Sequence, residues 1–491
     1  MNIPILTTLV FLPVLGMILI MFSPRDQHKL IRAIATLASG LVLALAIGLL
    51  LKFDPNTAAM QFVERALWIP QLNVHYHLGV DGISILMVLA TALLSFLACI
   101  ASFGINDRVK EYFVLYLLLE TGMMGTFLAL DLFLFYVFWE VVLVPMYFLI
   151  GIWGGAKKEY AAIKFFLYTL AGSMFMLIGI LALYFASASH TFNMLELGQN
   201  AFPLRFQQII FLAFFLGFAI KVPIWPFHTW LPDAHVEAPT PISVLLAGVL
   251  LKMGTYGFYR ISYPILPAAA RWFGPFMGIL AVIGIIYGGF VAFAQKDFKK
   301  MVAYSSVSHM GFVLLGLAVF TPTAMSGALL QMFNHAMITG GLFLLVGVLY
   351  DRAHTRDLDA FGGIWAKMPA YGAILIYVSL ASLGLPGLSG FVSEFMVLMG
   401  SFPVYRWMAI ASCIGILLAA AYLLYMIQRV LLGRLDPKWT KLPDISAREI
   451  FTLVPLMALI LLLGVYPKIA LQLIAPSIET LSRLLTGGQA A

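Results

Sequence analysis

The chain has 491 residues, of which 62% are hydrophobic and only 10% charged, whereas a soluble domain carries about 25% charged residues; that composition excludes a soluble globular protein. Its 29 Lys and Arg against 22 Asp and Glu give a formal charge of +7, but most of the excess lies in short loops between apolar runs, where it reads as membrane topology and not as nucleic-acid binding. Cys99 and Cys413 are far apart in apolar runs, so they offer neither a disulfide framework nor a paired metal site.

A bilayer core of about 30 Å needs roughly 20 apolar residues per helix. Cutting the sequence where charges, prolines or glycine clusters interrupt such runs predicts an all-α, polytopic membrane protein of about fourteen transmembrane helices. The first, 3–22, has no basic stretch before it and no small-x-small cleavage site after it. Its charges (Arg25, Lys29, Arg32) follow the apolar run, which predicts a retained first helix with its N-terminus outside. The others cover approximately 31–51, 83–103, 112–130, 132–152, 161–186, 208–229, 241–262, 272–295, 303–320, 327–350, 370–402, 407–432 and 450–468, with the fourth and fifth divided at Asp131 on length alone. Lysine and arginine fall in the odd-numbered loops roughly twice as often as in the even ones; Lys299 counts among the former and Arg260 among the latter. Because cations accumulate on the cytoplasmic side, both termini are expected on the opposite, periplasmic side.

Ionisable groups inside the spans are the exceptions that carry function, since each costs a few kcal/mol at the bilayer centre unless paired or hydrated. Glu140, Lys221, Lys252 and Glu394 stand out, with Glu120 balanced between a structural and a functional reading. Lys221 precedes Pro223 and Pro226, and Glu394 follows Pro386, so the seventh and twelfth spans are expected to be broken near the midplane. Matching spans four to eight (112–262) with spans nine to thirteen (263–432) puts the two breaks in equivalent places, as in an inverted-repeat transporter. Residues 1–111 then form a leading group of three helices, and 433–491 a linker with the fourteenth. His309 and His335 lie inside spans and supply groups that titrate near neutrality. Ser305, Ser308 and His309 share one helix face. His228 and His235, beside Asp233 and Glu237, read at least as well as loop or capping residues as they do as proton-transfer groups; zinc is the sharper alternative, but their spacing matches no established motif. No dinucleotide fingerprint, phosphate loop, haem or iron–sulfur spacing appears, so redox chemistry is expected in other chains.

The segments LGVDGISILMV, LFYVFWEVVLVPMYFLIGIWGG, YAAIKFFLYT, FAIKVPIWPFHTWLPDAHVEAPTPISVLLAGVLLKMGTYG, AYSSVSHMGF and LPGLSGFVSEF resemble the antiporter-like M-subunit family of NADH:quinone oxidoreductase, the chain 4 family of mitochondria. Chloroplast and cyanobacterial D subunits are similar too. The resemblance implies a proton-translocating subunit of a bacterial plasma membrane, working beside L-type and N-type antiporter-like chains in the lipid bilayer. NAD, FMN, iron–sulfur clusters and quinone would be held by partner subunits, and none by this chain. It implies that Glu140 pairs with Lys221 and that Lys252 connects through histidines to Glu394. The glutamate at 394 favours this family over L, N and cation/proton antiporter subunits, which usually carry lysine there. The alternatives are a subunit of a sodium/proton antiporter, a subunit of a membrane-bound hydrogenase or formate-coupled complex, and a quinone-binding redox subunit.

Overall fold

The computed structural model describes residues 4–487; Ile3, the predicted start of the first span, and Ala491 lie outside them. Every predicted span falls on helix. In chain order these are α1 (Ile5–Phe22), α2 (His28–Lys52), α3 (Ile85–Ala101), α4 (Val109–Leu128), α5 (Leu132–Trp153), α6 (Lys158–Ala186) and α7 (Leu204–Lys221). After a break comes the short α8 (Trp230–Glu237), then α9 (Thr240–Ile265), α10 (Pro267–Phe293), α11 (Phe298–Val319) and α12 (Pro322–Ala353). The second broken span is α13 (Pro369–Ser382) with α14 (Ser389–Ser401), and α15 (Arg406–Leu431), α16 (Ala447–Val465) and α17 (Lys468–Thr486) complete the chain. Twelve of these helices are individually long and apolar enough to cross a bilayer, which makes this an integral membrane protein. The inferred division at Asp131 is real: its side chain accepts from the Phe133 and Leu134 amides at 2.9 and 3.2 Å and caps α5.

Burial sorts the helices into layers. The described windows of α9 and α12 are entirely buried and α11 nearly so, whereas α1, α2, α6, α15 and α16 present apolar residues outward to the membrane. A helix apolar all round belongs in the middle of a bundle, and the three central helices carry Lys252, His309 and His335.

Two elements were not expected. Residues Gln61–Ile69 (β1) and Val74–Val80 (β2) form an antiparallel hairpin whose turn ends on Asn73 in the left-handed region. The hairpin is tied to α1 by Glu64, whose carboxylate accepts from the Leu6 and Thr7 amides at 2.8 and 2.9 Å, meeting free donors in the first turn of that helix. The chain beyond the fourteenth span is helical too: α17 is amphipathic, laying Ile474, Ile478, Leu481 and Leu485 against the bundle at the hairpin end. Ser482 Oγ donates to the Phe320 carbonyl at 2.6 Å and fastens it there.

Two cations assigned to loops are in fact buried. Lys299 is 3% exposed because its ammonium turns inward to the Ala238 carbonyl at 2.5 Å. Arg260 is 6% exposed because α9 continues past it and sets it against Asp81.

Candidate functional site

Both predicted breaks form, for the reason anticipated. α7 ends on Lys221, because Pro223 and Pro226 cannot donate to the preceding turn. The indole of Trp230, at the start of α8, donates to the released Ile220 carbonyl at 2.8 Å. Between α13 and α14 the chain turns through Gly384 and Gly387, with φ of +85° and +93°, a region open to glycine. Gly390 then lets α14 pass the end of α13, since a Cβ there would lie 2.2 Å from the Ala381 carbonyl. Asn334 of α12 donates to the Ser389 carbonyl at 2.8 Å and pins the start of α14.

Lys252 sits midway along α9 between two π-turns, Leu246–Leu250 and Phe258–Ser262, which shift the backbone pairing by one residue and free carbonyls. Its ammonium donates to one of them, Ala247 O, and lies 2.7 Å from His335 Nδ1 on α12. With lysine as donor, His335 carries its hydrogen on Nε2, which has no protein partner. The His309 ring of α11 is next, its centroid 5.9 Å from that of His335. His309 Nδ1 donates to Glu394 Oε1 at 2.7 Å, and its Nε2 is 3.2 Å from the Tyr422 hydroxyl and 3.4 Å from Ser382 Oγ. All four groups are buried. Four separate helices therefore line up Lys252, His335, His309 and Glu394, with a gap only between the two imidazoles, which one bridging water or a ring rotation would close.

Gln331 was missed from the sequence. Its amide donates to Glu394 Oε1 at 2.8 Å, and Ser393 Oγ, donating to Gln331 Oε1 at 2.5 Å, fixes which way the amide points. Gln331 and His335 are four residues apart on α12 and share a face; that spacing was the available signal. Tyr422 and Ser382 carried none, being single polar residues in apolar runs.

The surroundings of Lys221 are arranged differently. Lys221 is 1% exposed, with its ammonium over the rings of Trp139 at 5.2 Å and Phe165 at 5.8 Å, a cation–π setting. Glu140, the next residue after Trp139 on α5, is half-buried, and its Oε1 has no hydrogen-bond partner. No direct salt bridge joins Glu140 to Lys221, although the two are electrostatic neighbours. Glu120 is fully buried on α4 and accepts from Ser39 of α2 at 2.6 Å.

His228 lies in the break, and His235 is inside α8, stacked on Phe343 with centroids 4.6 Å apart and neither ring nitrogen bonded. The neighbouring acids are engaged elsewhere: Lys164 takes Asp233 at 2.7 Å, and Glu237 accepts from the Lys157 amide at 2.9 Å. No cluster of three or more metal-type side chains occurs among the described residues. Where α8 meets α9, at the end rich in lysine loops, a cavity of about 530 Å³ opens among Glu237, Pro239, Lys299, Asp351 and Arg356.

The family model described as NADH:quinone oxidoreductase/Mrp antiporter, transmembrane, matches residues 129–419, which contain Glu140, Lys221, Lys252, His309, His335 and Glu394. NADH-quinone oxidoreductase subunit M of Rhodobacter capsulatus is 47% identical over 462 residues, covering 91% of this chain and 90% of that protein. NADH-ubiquinone oxidoreductase chain 4 of Arabidopsis thaliana is 42% identical over 479 residues, covering 97% and 96%. A chain from the structure of respiratory complex I from Thermus thermophilus with bound NADH superposes with a TM-score of 0.90 at 33% identity, covering 98% of this chain and 99% of that one. A chain of the Mrp complex from Dietzia shares the fold, with a TM-score of 0.86 at 22% identity.

Proposed function

Because the chain belongs to the NADH:quinone oxidoreductase/Mrp antiporter transmembrane family, we propose that it is the antiporter-like, proton-translocating membrane subunit of an NADH:quinone oxidoreductase. Electron transfer takes place in partner subunits that hold NAD, FMN, iron–sulfur clusters and quinone, and this chain converts the energy released there into proton movement. It sits in a bacterial plasma membrane beside L-type and N-type chains, with both termini periplasmic. The observation that carries the reading is the buried line Lys252–His335–His309–Glu394, whose members can each accept and give up a proton and are placed within reach of one another.

Protons are taken up from the cytoplasmic side, where the cavity beside Lys299 and Glu237 reaches the start of α9. Lys221 is loaded in the first half and hands its proton to Lys252. A carboxylate drawn toward a lysine stabilises the ammonium, and one withdrawn favours release, so movement of Glu140 relative to Lys221 is the switch. Imidazoles pass the proton to Glu394, which discharges to the outside along α14. Residues 112–262 and 263–432 act as two inverted repeats, each hinged at its broken helix, a reading supported by the equivalent positions of the two breaks.

The test uses the assembled complex in liposomes. Lys252→Ala and Glu394→Gln should abolish most NADH-driven proton uptake by the vesicles while electron transfer from NADH to quinone continues. Pumping at the parental proton-to-electron ratio in either variant overturns the assignment. Reporter fusions after Arg32, Lys158 and Lys300 should report the cytoplasm.

A further inference from the structure

Eight residues beyond Lys252, α9 carries a second buried cation that the relay does not use. A guanidinium cannot lose its proton in a protein and has no lone pair with which to accept one. Lys252, Tyr256 and Arg260 recur at four-residue spacing, so they share one face of α9 over about 12 Å. Arg260 Nε donates to the Tyr256 hydroxyl at 3.1 Å, and its Nη2 donates to Asp81. The Tyr256 hydroxyl donates in turn to the Phe127 carbonyl at 2.9 Å. A proton travelling from Lys252 along this face therefore meets first a phenol whose hydrogen is held by a backbone carbonyl, then a permanent positive charge. The adjacent phenols offer no detour: Tyr259 donates to the Met325 carbonyl and Tyr263 to the Leu317 carbonyl, both at 2.7 Å.

The charges are ordered as well as buried. Arg260 reaches inward to Tyr256, while Asp81 lies on the hairpin side at the start of α3, where its Oδ1 also accepts from the Ile83 and Ser84 amides at 3.0 and 3.2 Å. α17 closes over this carboxylate, with the Gly82 amide donating to Ser477 Oγ at 3.2 Å; a Cβ on Gly82 would lie 2.4 Å from the Leu473 carbonyl. The positive end of the pair faces Lys252. Breaking a buried pair leaves an uncompensated charge, whereas replacing both partners with apolar groups is often tolerated, so stability alone gives little reason to keep it.

We propose that Arg260, held by Asp81 behind Tyr256, is an electrostatic plug that stops protons on Lys252 from escaping directly to the hairpin end, leaving His335, His309 and Glu394 as their way out. The route protected is the relay proposed above, and the plug itself is read out without turnover.

In liposomes containing the assembled complex, a pH gradient is imposed without NADH and its collapse is followed with an entrapped dye. Arg260→Gln should collapse the gradient several-fold faster than the parent, and Arg260→Lys, which restores a cation, should recover most of the tightness. Arg260→Met combined with Asp81→Leu keeps an apolar filling without charge and should leak like Arg260→Gln. Should that double variant hold the gradient as the parent does, the pair is structural and the plug is wrong; equal leak from Arg260→Lys and Arg260→Gln would overturn it too. Glu394→Gln in the same vesicles separates the two readings: lost pumping there with tight Arg260 variants refutes the plug alone, and parental pumping there with leaky Arg260 variants refutes the relay alone.

Discussion

The two halves of the proposed proton path hold similar residue types in opposite states. In the second, Lys252 meets His335 and His309 meets Glu394 at 2.7 Å, with a gap only between the two imidazoles, and the acid is fixed by Gln331 and Ser393. In the first, Lys221 rests against aromatic rings and Glu140 has an oxygen with no partner. On the proposed function a nearly connected line carries protons but decides little, whereas a cation and an acid held apart are poised to change. On the proposed function, control therefore falls to Lys221 and Glu140 and conduction to Lys252, His335, His309 and Glu394.

The largest effects should come from the poised half. Lys221→Ala or Glu140→Gln is expected to abolish most coupled pumping, measured as the proton-to-electron ratio, while the complex still assembles. The double variant should be no worse than the worse single one, because residues acting as one unit are not additive. Parental pumping by Glu140→Gln would make that acid structural and erase the contrast between the halves. In the connected half, His309→Gln should reduce pumping by about tenfold without abolishing it, less than the roughly 100-fold or more that a positioned proton-transfer group typically contributes, because water can stand in for the imidazole. A complete loss would show that this half also holds the switch.

Much of this was legible from the sequence, since the signals were physical and local. A run of apolar residues has one solution in a bilayer, and a proline inside it has one consequence, so the spans and both breaks could be placed. Glu140, Lys221, Lys252 and Glu394 showed themselves by their cost. The hairpin did not, because Glu64, Arg65, His75 and His77 make 61–80 resemble a polar loop; its stability comes from Glu64 meeting α1, a contact between distant segments. α17 carries Pro476 and too many polar residues for a span, and lies across the bundle instead. Lys299 and Arg260 were taken for loop charges, since position near a span end does not say which way a long side chain turns.

Smaller effects should mark residues outside both halves of the comparison. Glu120→Gln keeps the outline that receives the Ser39 hydroxyl, so pumping should change by less than about twofold, while Ser39→Ala, which strands a buried acceptor, should cost about 1–3 kcal/mol in stability. If Glu120→Gln instead matched Glu140→Gln, a third control point would be needed.

The smallest expected effect is at the hairpin, outside the spans. Burial, then the charge of Arg65 and the presence of His75, push His77 down to about 4. Above pH 6.5 its imidazole is neutral whether the hairpin is closed or open. Between about 6.5 and 4 the open form takes up a proton that the closed form refuses, so stability falls as pH falls, by up to tenfold in the opening equilibrium per pH unit. Amide exchange across the β1–β2 ladder should accelerate over that window and become pH-independent, after correction for intrinsic exchange, in His77→Gln.

The contact of Ser477 with Gly82 joins residues 395 apart in the chain. During synthesis, the first turn of α3 and the Asp81 carboxylate are therefore in place long before the helix that covers them has been made. A nascent chain interrupted anywhere between α16 and α17 already contains Lys221, Lys252, both relay histidines and Glu394, yet is open at the hairpin end. Completion of α17 is thus a maturation step as much as a structural one, and a truncated product would be recognisable by amides near Gly82 that exchange freely.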